Sequence, residues 1–201
     1  MSGTQIALVI VIIVIVVAAA AGAWALARRR ALRQRFGPEY ERVVSEQDSV
    51  RAAERELRER ERKHGELELN ELSPESRQQY AESWAQVQAQ FVDEPTQAVG
   101  AAHQLVTDLV RERGYPTEDH DEQLAHLSVE HARTLGHYRD AHEIYLRNER
   151  GEATTEQLRQ ALVHYRALFA DLLGEDPVPP NGSVTDPATP HAPTRHGEAA
   201  S

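Results

Sequence analysis

Residues 6–27 read IALVIVIIVIVVAAAAGAWALA, and the basic run RRRALRQR follows at once at positions 28–35. The first stretch contains no charged and no strongly polar side chain. As a helix rising 1.5 Å per residue it would extend about 33 Å, enough for the ~30 Å hydrocarbon core of a bilayer. Trp24 lies near its end, where indole rings favour the membrane interface. Residues 6–27 are therefore predicted to form a transmembrane helix.

The charges that flank this helix predict its orientation. Residues 1–5 (MSGTQ) carry no charged side chain, whereas five arginines follow the apolar stretch, namely Arg28, Arg29, Arg30, Arg33 and Arg35. The positive-inside rule places the arginines and the C-terminal part of the chain in the cytoplasm, and residues 1–5 outside the cell. The same five arginines are expected to contact anionic lipid headgroups.

A cleaved signal peptide is the alternative. Residues 19–21 (AAA) and 21–23 (AGA) resemble signal-peptidase sites, and cleavage there would give an exported or envelope protein. A secretory signal carries its positive charge before the apolar region, however, and here the charge comes after it. The sequence favours the uncleaved anchor and leaves export open.

Composition excludes several classes of protein. The chain has 22 Lys+Arg against 32 Asp+Glu, and because five arginines lie at 28–35, residues 36–201 hold 17 against 32, a net charge of −15. Such an acidic domain is repelled by nucleic acid, so DNA or RNA binding is not expected. The absence of cysteine excludes disulfides, thiol catalysis and cysteine-based metal sites.

The fold class is predicted to be all-α, since apolar residues recur at helical spacing and no segment has the pattern of a paired strand. Residues 28–72 are expected to form a basic and then highly charged juxtamembrane segment. One helix from Pro38 to about Lys63 would stand in solvent there or form a coiled-coil stalk. Residues 73–174 are expected to form a compact antiparallel helical bundle, and residues 175–201, which are rich in proline, a disordered tail.

Local signals divide the bundle into helices. Ser73-Pro74 is typical of a helix start, and Thr154-x-x-Gln157 has the pattern of a capping box. The bundle is predicted to contain helices over 74–91, from 95 to the RGYP sequence at 113–116, over 119–150, and from 155 to Gly174.

Five histidines between His120 and His142 suggest metal chemistry. On one continuous helix, however, the pairs five residues apart diverge by about 140°, and His131 and His142 lie about 16 Å apart. A metal site would need a further helix, and its candidate ligands are His126, Glu130, His131 and His142. The sequence favours buried histidines bonded to their neighbours, with a pH-responsive role as the other alternative.

A second row of polar residues on this helix is expected to form a solvated ion-pair face. It consists of His126, Glu130, Arg133, His137 and Asp140.

Tyr115 in the RGYP loop is the candidate contact residue for a partner. The alternative, which the sequence favours, is that its ring folds over the core. The chain contains no phosphate-binding loop, no zinc-protease motif and no nucleophile in a recognisable context, so no enzyme activity and no cofactor is expected.

Several motifs resemble a family of uncharacterised membrane-anchored proteins of actinobacteria. These are RFGPEY at 35–40, LSPESR at 72–77, WxxVQxxFVDxP at 84–95, RGYP at 113–116, LSVEHA at 127–132, and TExLR at 155–159 with YR at 165–166. The resemblance covers about residues 28–173. It implies membrane anchoring, and it implies no activity and no catalytic residue.

The sequence as a whole predicts a membrane-tethered cytoplasmic scaffold or adaptor that meets the lipid bilayer and binds a protein partner, with a homo-oligomer possible. The alternatives are a histidine-dependent metal or pH sensor, and an exported protein.

Overall fold

All the secondary structure in the described part of the chain is helical, which confirms the all-α class. A computed structural model describes residues 3–175. Its helices are α1 (Gly3–Phe36), α2 (Pro38–Glu46), α3 (Val50–His64), α4 (Pro74–Asp93), α5 (Pro95–Glu112), α6 (His120–Glu130), α7 (Ala132–Glu149) and α8 (Thr155–Leu173). The tail predicted to be disordered lies, from residue 176 onward, outside the described residues.

The helix-terminal signals in the sequence form the expected caps. The Ser73 hydroxyl accepts a hydrogen bond from the backbone N–H of Ser76 at 3.0 Å, and α4 begins at Pro74. Thr154 and Gln157 bond each other reciprocally at the start of α8, as a capping box requires. Gly174 ends α8 in the left-handed conformation, with φ of 82°.

Helices α4, α5, α7 and α8 enclose the larger of two apolar cores, here called the bundle core. Trp84 stacks on Phe169 with ring centroids 4.7 Å apart and joins α4 to α8. Its fully buried side chains include Val99, Val106, Leu109, Leu135, Tyr165 and Leu168. The irregular segment between α3 and α4 covers one edge through Leu67, Leu69 and Leu72.

A smaller apolar core lies where α1 enters the domain. Residues 38–63 contribute to this core and do not form the predicted stalk. Two helices, α2 and α3, replace the single helix predicted over 38–63, and they pack on α6 and α7. Ser49 accepts a hydrogen bond from Ala52 N–H and caps α3, so the chain reverses there without glycine or proline. We call the helix pair α2–α3 the hairpin. The apolar cluster that it forms with the end of α1 and with α6 is called the hairpin core, and it consists of Leu32, Phe36, Tyr40, Val43, Ala53, Leu57 and Val129.

Helix α1 is long and apolar enough to cross a membrane. Its apolar side chains from position 10 to position 26 are exposed, whereas Leu32 and Phe36 near its end are buried in the hairpin core. One unbroken helix therefore joins the apolar segment to the interior of the domain.

The helix expected over 119–150 is also divided in two. His131, with φ of −111° and ψ of 28°, separates α6 from α7. Neither glycine nor proline marks this break. The angles deduced for histidines on one continuous helix consequently do not apply across residue 131.

Candidate functional site

The predicted lipid-contacting arginines also face carboxylates of the hairpin. Arg29 Nε lies 2.9 Å from Glu54 Oε1, and Arg35 Nε lies 3.5 Å from Glu61 Oε1. Arg33 lies 3.4 Å from Glu41 Oε1. The three arginine side chains remain 47–61% exposed in these pairs. The Arg33–Glu41 pair is exposed on both sides, and such a pair contributes at most about 1 kcal/mol. Glu54, in contrast, is a buried residue.

These pairs also establish the direction of the hairpin. Because Glu54 pairs with Arg29 and Glu61 with Arg35, α3 runs parallel to the last turns of α1. The start of α3 at Val50 therefore lies toward the apolar end of α1.

Glu39 joins the hairpin to the bundle. Its carboxylate is 3% exposed and accepts two hydrogen bonds of 2.8 Å from Arg139 of α7. Arg42 donates two more, at 2.7 and 3.0 Å, and Arg60 of α3 donates one at 3.1 Å. Burial by itself would raise the pKa of Glu39, but the hydrogen bonds from Arg42 and Arg139 outweigh it and lower the pKa to about 2.

Tyr115 lies inside the protein, as the favoured alternative predicted. Its side chain is 3% exposed, and its hydroxyl donates to Glu130 Oε2 at 3.2 Å. His64 Nε2 lies 3.2 Å from the other oxygen of Glu130. Burial raises the pKa of the Tyr115 phenol, and the charge of Glu130 adds to the effect. The ring of Tyr115 is therefore not on the described surface, and its role as a partner contact stays a prediction.

The histidines predicted to share one helix occupy separate surroundings. His131 Nδ1 lies 3.0 Å from Asp171 Oδ2 of α8, which also accepts a hydrogen bond of 2.6 Å from the Thr134 hydroxyl. Burial would raise the pKa of Asp171, but the bonds from His131 and Thr134 hold it below its usual value. His126 is only 5% exposed, which contradicts the solvated face expected for it.

His142 belongs to a stack of imidazole rings. His120 lies 4.2 Å away and His103 lies 5.3 Å away, measured between ring centroids. His103 also stacks on Tyr145 at 4.1 Å, and its Nδ1 lies 3.1 Å from the hydroxyl of Tyr165. Burial, together with the charges that His120 and His103 would carry, lowers the pKa of His142 to about 4.

The four candidate metal ligands do not converge. His126, Glu130 and His131 lie around His64 and Tyr115, but their ligand atoms do not meet at one point, and His142 lies apart in the imidazole stack. Within residues 3–175, the ligand atoms that do converge belong to His137 and Asp140 of α7 and His164 of α8, all within 4.8 Å of one another.

The sequence places His137 and Asp140 on one helix face, where their spacing predicts an ion-pair row, and no local pattern connects them with His164. The i,i+3 spacing of His137 and Asp140 was a usable signal. His164 joins them because α8 packs beside α7, and local sequence patterns do not predict which helices pack together.

The chain matches no protein-family model, no curated protein and no solved structure. The resemblance to the actinobacterial proteins stays a prediction.

Proposed function

We propose that this protein is a single-pass membrane protein whose helical domain lies in the cytoplasm and serves as a docking module for a basic protein partner. The observation that carries the proposal is the continuity of α1, whose apolar segment leads without a break to Leu32 and Phe36 in the hairpin core. A flexible linker would let the domain move freely. A shared helix holds it at the membrane surface in a defined orientation.

The orientation follows from charge. Arg28 lies over the Trp24 ring at 4.9 Å, so the first arginine and the interface indole form one belt at the end of the apolar segment. The other arginines follow within two helical turns. A cytoplasmic domain satisfies the positive-inside rule, and the arginines would then meet the anionic headgroups of the inner leaflet.

The surface offered to a partner is acidic. Between positions 66 and 94 the only basic residue is Arg77, while the exposed acidic residues are Glu66, Glu68, Glu71, Glu75, Glu82, Asp93 and Glu94. Glu75, Gln79, Glu82 and Gln86 are all exposed and follow one another at helical spacing along α4, forming what we call the α4 face. Such a face attracts a basic protein surface and is repelled by anionic lipid and nucleic acid.

Tethering supplies the mechanism. A partner held at the membrane by a second contact of its own would meet the α4 face at a raised effective concentration, so a weak interaction would suffice. The experiment places a photo-crosslinking amino acid at Gln79 in the full-length protein in cells. We expect a crosslinked species that is lost in the double variant Glu75→Lys/Glu82→Lys.

The matched control reverses two exposed charges elsewhere, Glu149→Lys and Glu152→Lys, and should retain the crosslink. Equal crosslinking in both double variants, or no crosslinked protein from Gln79, would contradict the proposal.

A further inference from the structure

We propose that His137, Asp140 and His164 form a binding site for a divalent transition metal ion of the zinc type, on the outer side of the α7–α8 pair. The inference is independent of the docking function. It rests on the convergence of two imidazole nitrogens and one carboxylate from two tightly packed helices.

The two imidazoles already face each other through their ligand atoms. His137 Nδ1 lies 2.9 Å from His164 Nδ1, and the rings are nearly parallel, with centroids 5.0 Å apart and an interplanar angle of 22°. Without a metal, one Nδ1 must carry a proton and donate a hydrogen bond to the other Nδ1, because two protonated nitrogens at this distance would repel each other. A cation between the rings would use both lone pairs at once.

The distances suit a tetrahedral ion. Zinc–nitrogen bonds of about 2.0–2.1 Å at tetrahedral angles place two ligand nitrogens about 3.3 Å apart. The imidazoles therefore need to separate by only about 0.4 Å, which small rotations of half-buried side chains can supply. Asp140, one helical turn after His137, has a carboxylate oxygen within 4.8 Å of one ring nitrogen of each histidine and would be the third ligand.

The charge of the site also favours a cation. Asp140 is exposed, and among residues 3–175 no arginine or lysine nitrogen lies within 4.0 Å of its carboxylate, whereas nearby Glu143 is paired with Arg147. Burial lowers the pKa of His164, and the neighbouring His137 adds to this effect while Asp140 opposes it. A metal ion binds the neutral form of an imidazole.

The donor set identifies the class of metal. Two imidazole nitrogens with one carboxylate suit zinc and its neighbours in the first transition row, and they do not suit Mg²⁺ or Ca²⁺, which take oxygen ligands. Three protein ligands leave a fourth position for water or for a donor from another molecule. The bound ion would also tie α7 to α8 at a point outside the bundle core.

The test measures metal binding to the full-length protein in detergent, purified without a histidine tag. Zn²⁺ is titrated by calorimetry, and Co²⁺ is used as a spectroscopic probe because tetrahedral Co²⁺ absorbs far more strongly than the hydrated ion. We expect one ion per chain and an intense visible Co²⁺ spectrum. Asp140→Asn should lower the affinity at least about tenfold, and His164→Gln about 100-fold or more.

Two controls separate this site from adventitious binding. His191 and His196 lie in the part of the chain outside the described residues, and the double variant His191→Gln/His196→Gln should bind Zn²⁺ as tightly as the original protein. Circular dichroism of each variant shows that the helices are retained. Asp140→Asn keeps the test valid even if a histidine variant fails to fold, because the residue is exposed.

Three results would overturn the proposal. The first is Zn²⁺ binding that is unchanged in Asp140→Asn and His164→Gln. The second is binding that disappears when His191 and His196 are replaced, and the third is equal affinity for Mg²⁺ and Zn²⁺.

Discussion

Replacing Glu39 by glutamine should loosen the hairpin from the bundle. The carboxylate is shared by Arg42 of α2, Arg60 of α3 and Arg139 of α7, so it holds three helices at one point. Glutamine preserves the size of the side chain but removes its charge. The three guanidinium groups would then repel one another without the anion that they surround.

The magnitude follows from the pKa of Glu39. Its fall from 4.5 to about 2 means that the native protein favours the ionised carboxylate by about 3 kcal/mol, at roughly 1.4 kcal/mol per pH unit. Breaking a buried ion pair by removing one partner costs a similar amount, about 3–5 kcal/mol. We therefore expect Glu39→Gln to lower the free energy of opening the hairpin by about 3 kcal/mol.

Native-state hydrogen exchange of the full-length protein in detergent measures this quantity directly. Amides of α2 and α3 should exchange roughly 100-fold faster in Glu39→Gln, since each 1.4 kcal/mol corresponds to about tenfold. The control is Glu46→Gln, which removes an exposed partner of the same Arg42 and should change exchange by less than about fivefold. If both substitutions change the exchange rates of α2 and α3 by the same small factor, Glu39 is not the main link between the hairpin and the bundle.

Three further predictions follow from burial, titration and backbone geometry. Phe36→Ala removes a side chain that is 0% exposed and should lower the free energy of unfolding, measured by thermal denaturation, by about 3–5 kcal/mol. Its control, Val92→Ala, changes a residue that is 81% exposed and should alter this free energy by less than about 0.5 kcal/mol. Acidification should destabilise the fold as pH falls from 6.5 toward 4, because His142, with a pKa of about 4, stays neutral in the folded chain while the unfolded chain takes up a proton. His142→Asn should make denaturation curves less dependent on pH in that window. Gly114→Ala should lower the melting temperature, because φ at this position is +92° and the added carbon would lie 2.6 Å from a backbone oxygen. Gly136→Ala, where the added carbon has open space within α7, should raise the melting temperature, because alanine stabilises a helix by about 0.5–1 kcal/mol relative to glycine.

Local physics explains which parts of the fold the sequence predicts. The caps at Ser73 and Thr154 depend on residues within one turn, so their signals are complete in the sequence. The inward positions of α5 and α8 follow from helical periodicity for the same reason. The apolar segment of α1 is equally evident from composition and length.

The features that escaped prediction depend on contacts between distant residues. The hairpin turn and the break at His131 contain neither glycine nor proline, and packing against the bundle stabilises them. Glu39 and Arg139 are a hundred positions apart in the chain, so no spacing rule connects them. His164 joins the α7 residues only because α8 packs beside α7.

The orientation of the helical domain at the membrane is the central claim, and cysteine labelling in intact cells tests it most directly. The chain contains no cysteine, so Ala89→Cys on α4 and Ser2→Cys before the apolar segment each introduce a unique thiol. A membrane-impermeant maleimide should label Ser2→Cys in intact cells and Ala89→Cys only after permeabilisation, and the purified protein should retain the mass of residues 1–27. Labelling of Ala89→Cys in intact cells, or a mature chain that begins near Trp24, would contradict the account.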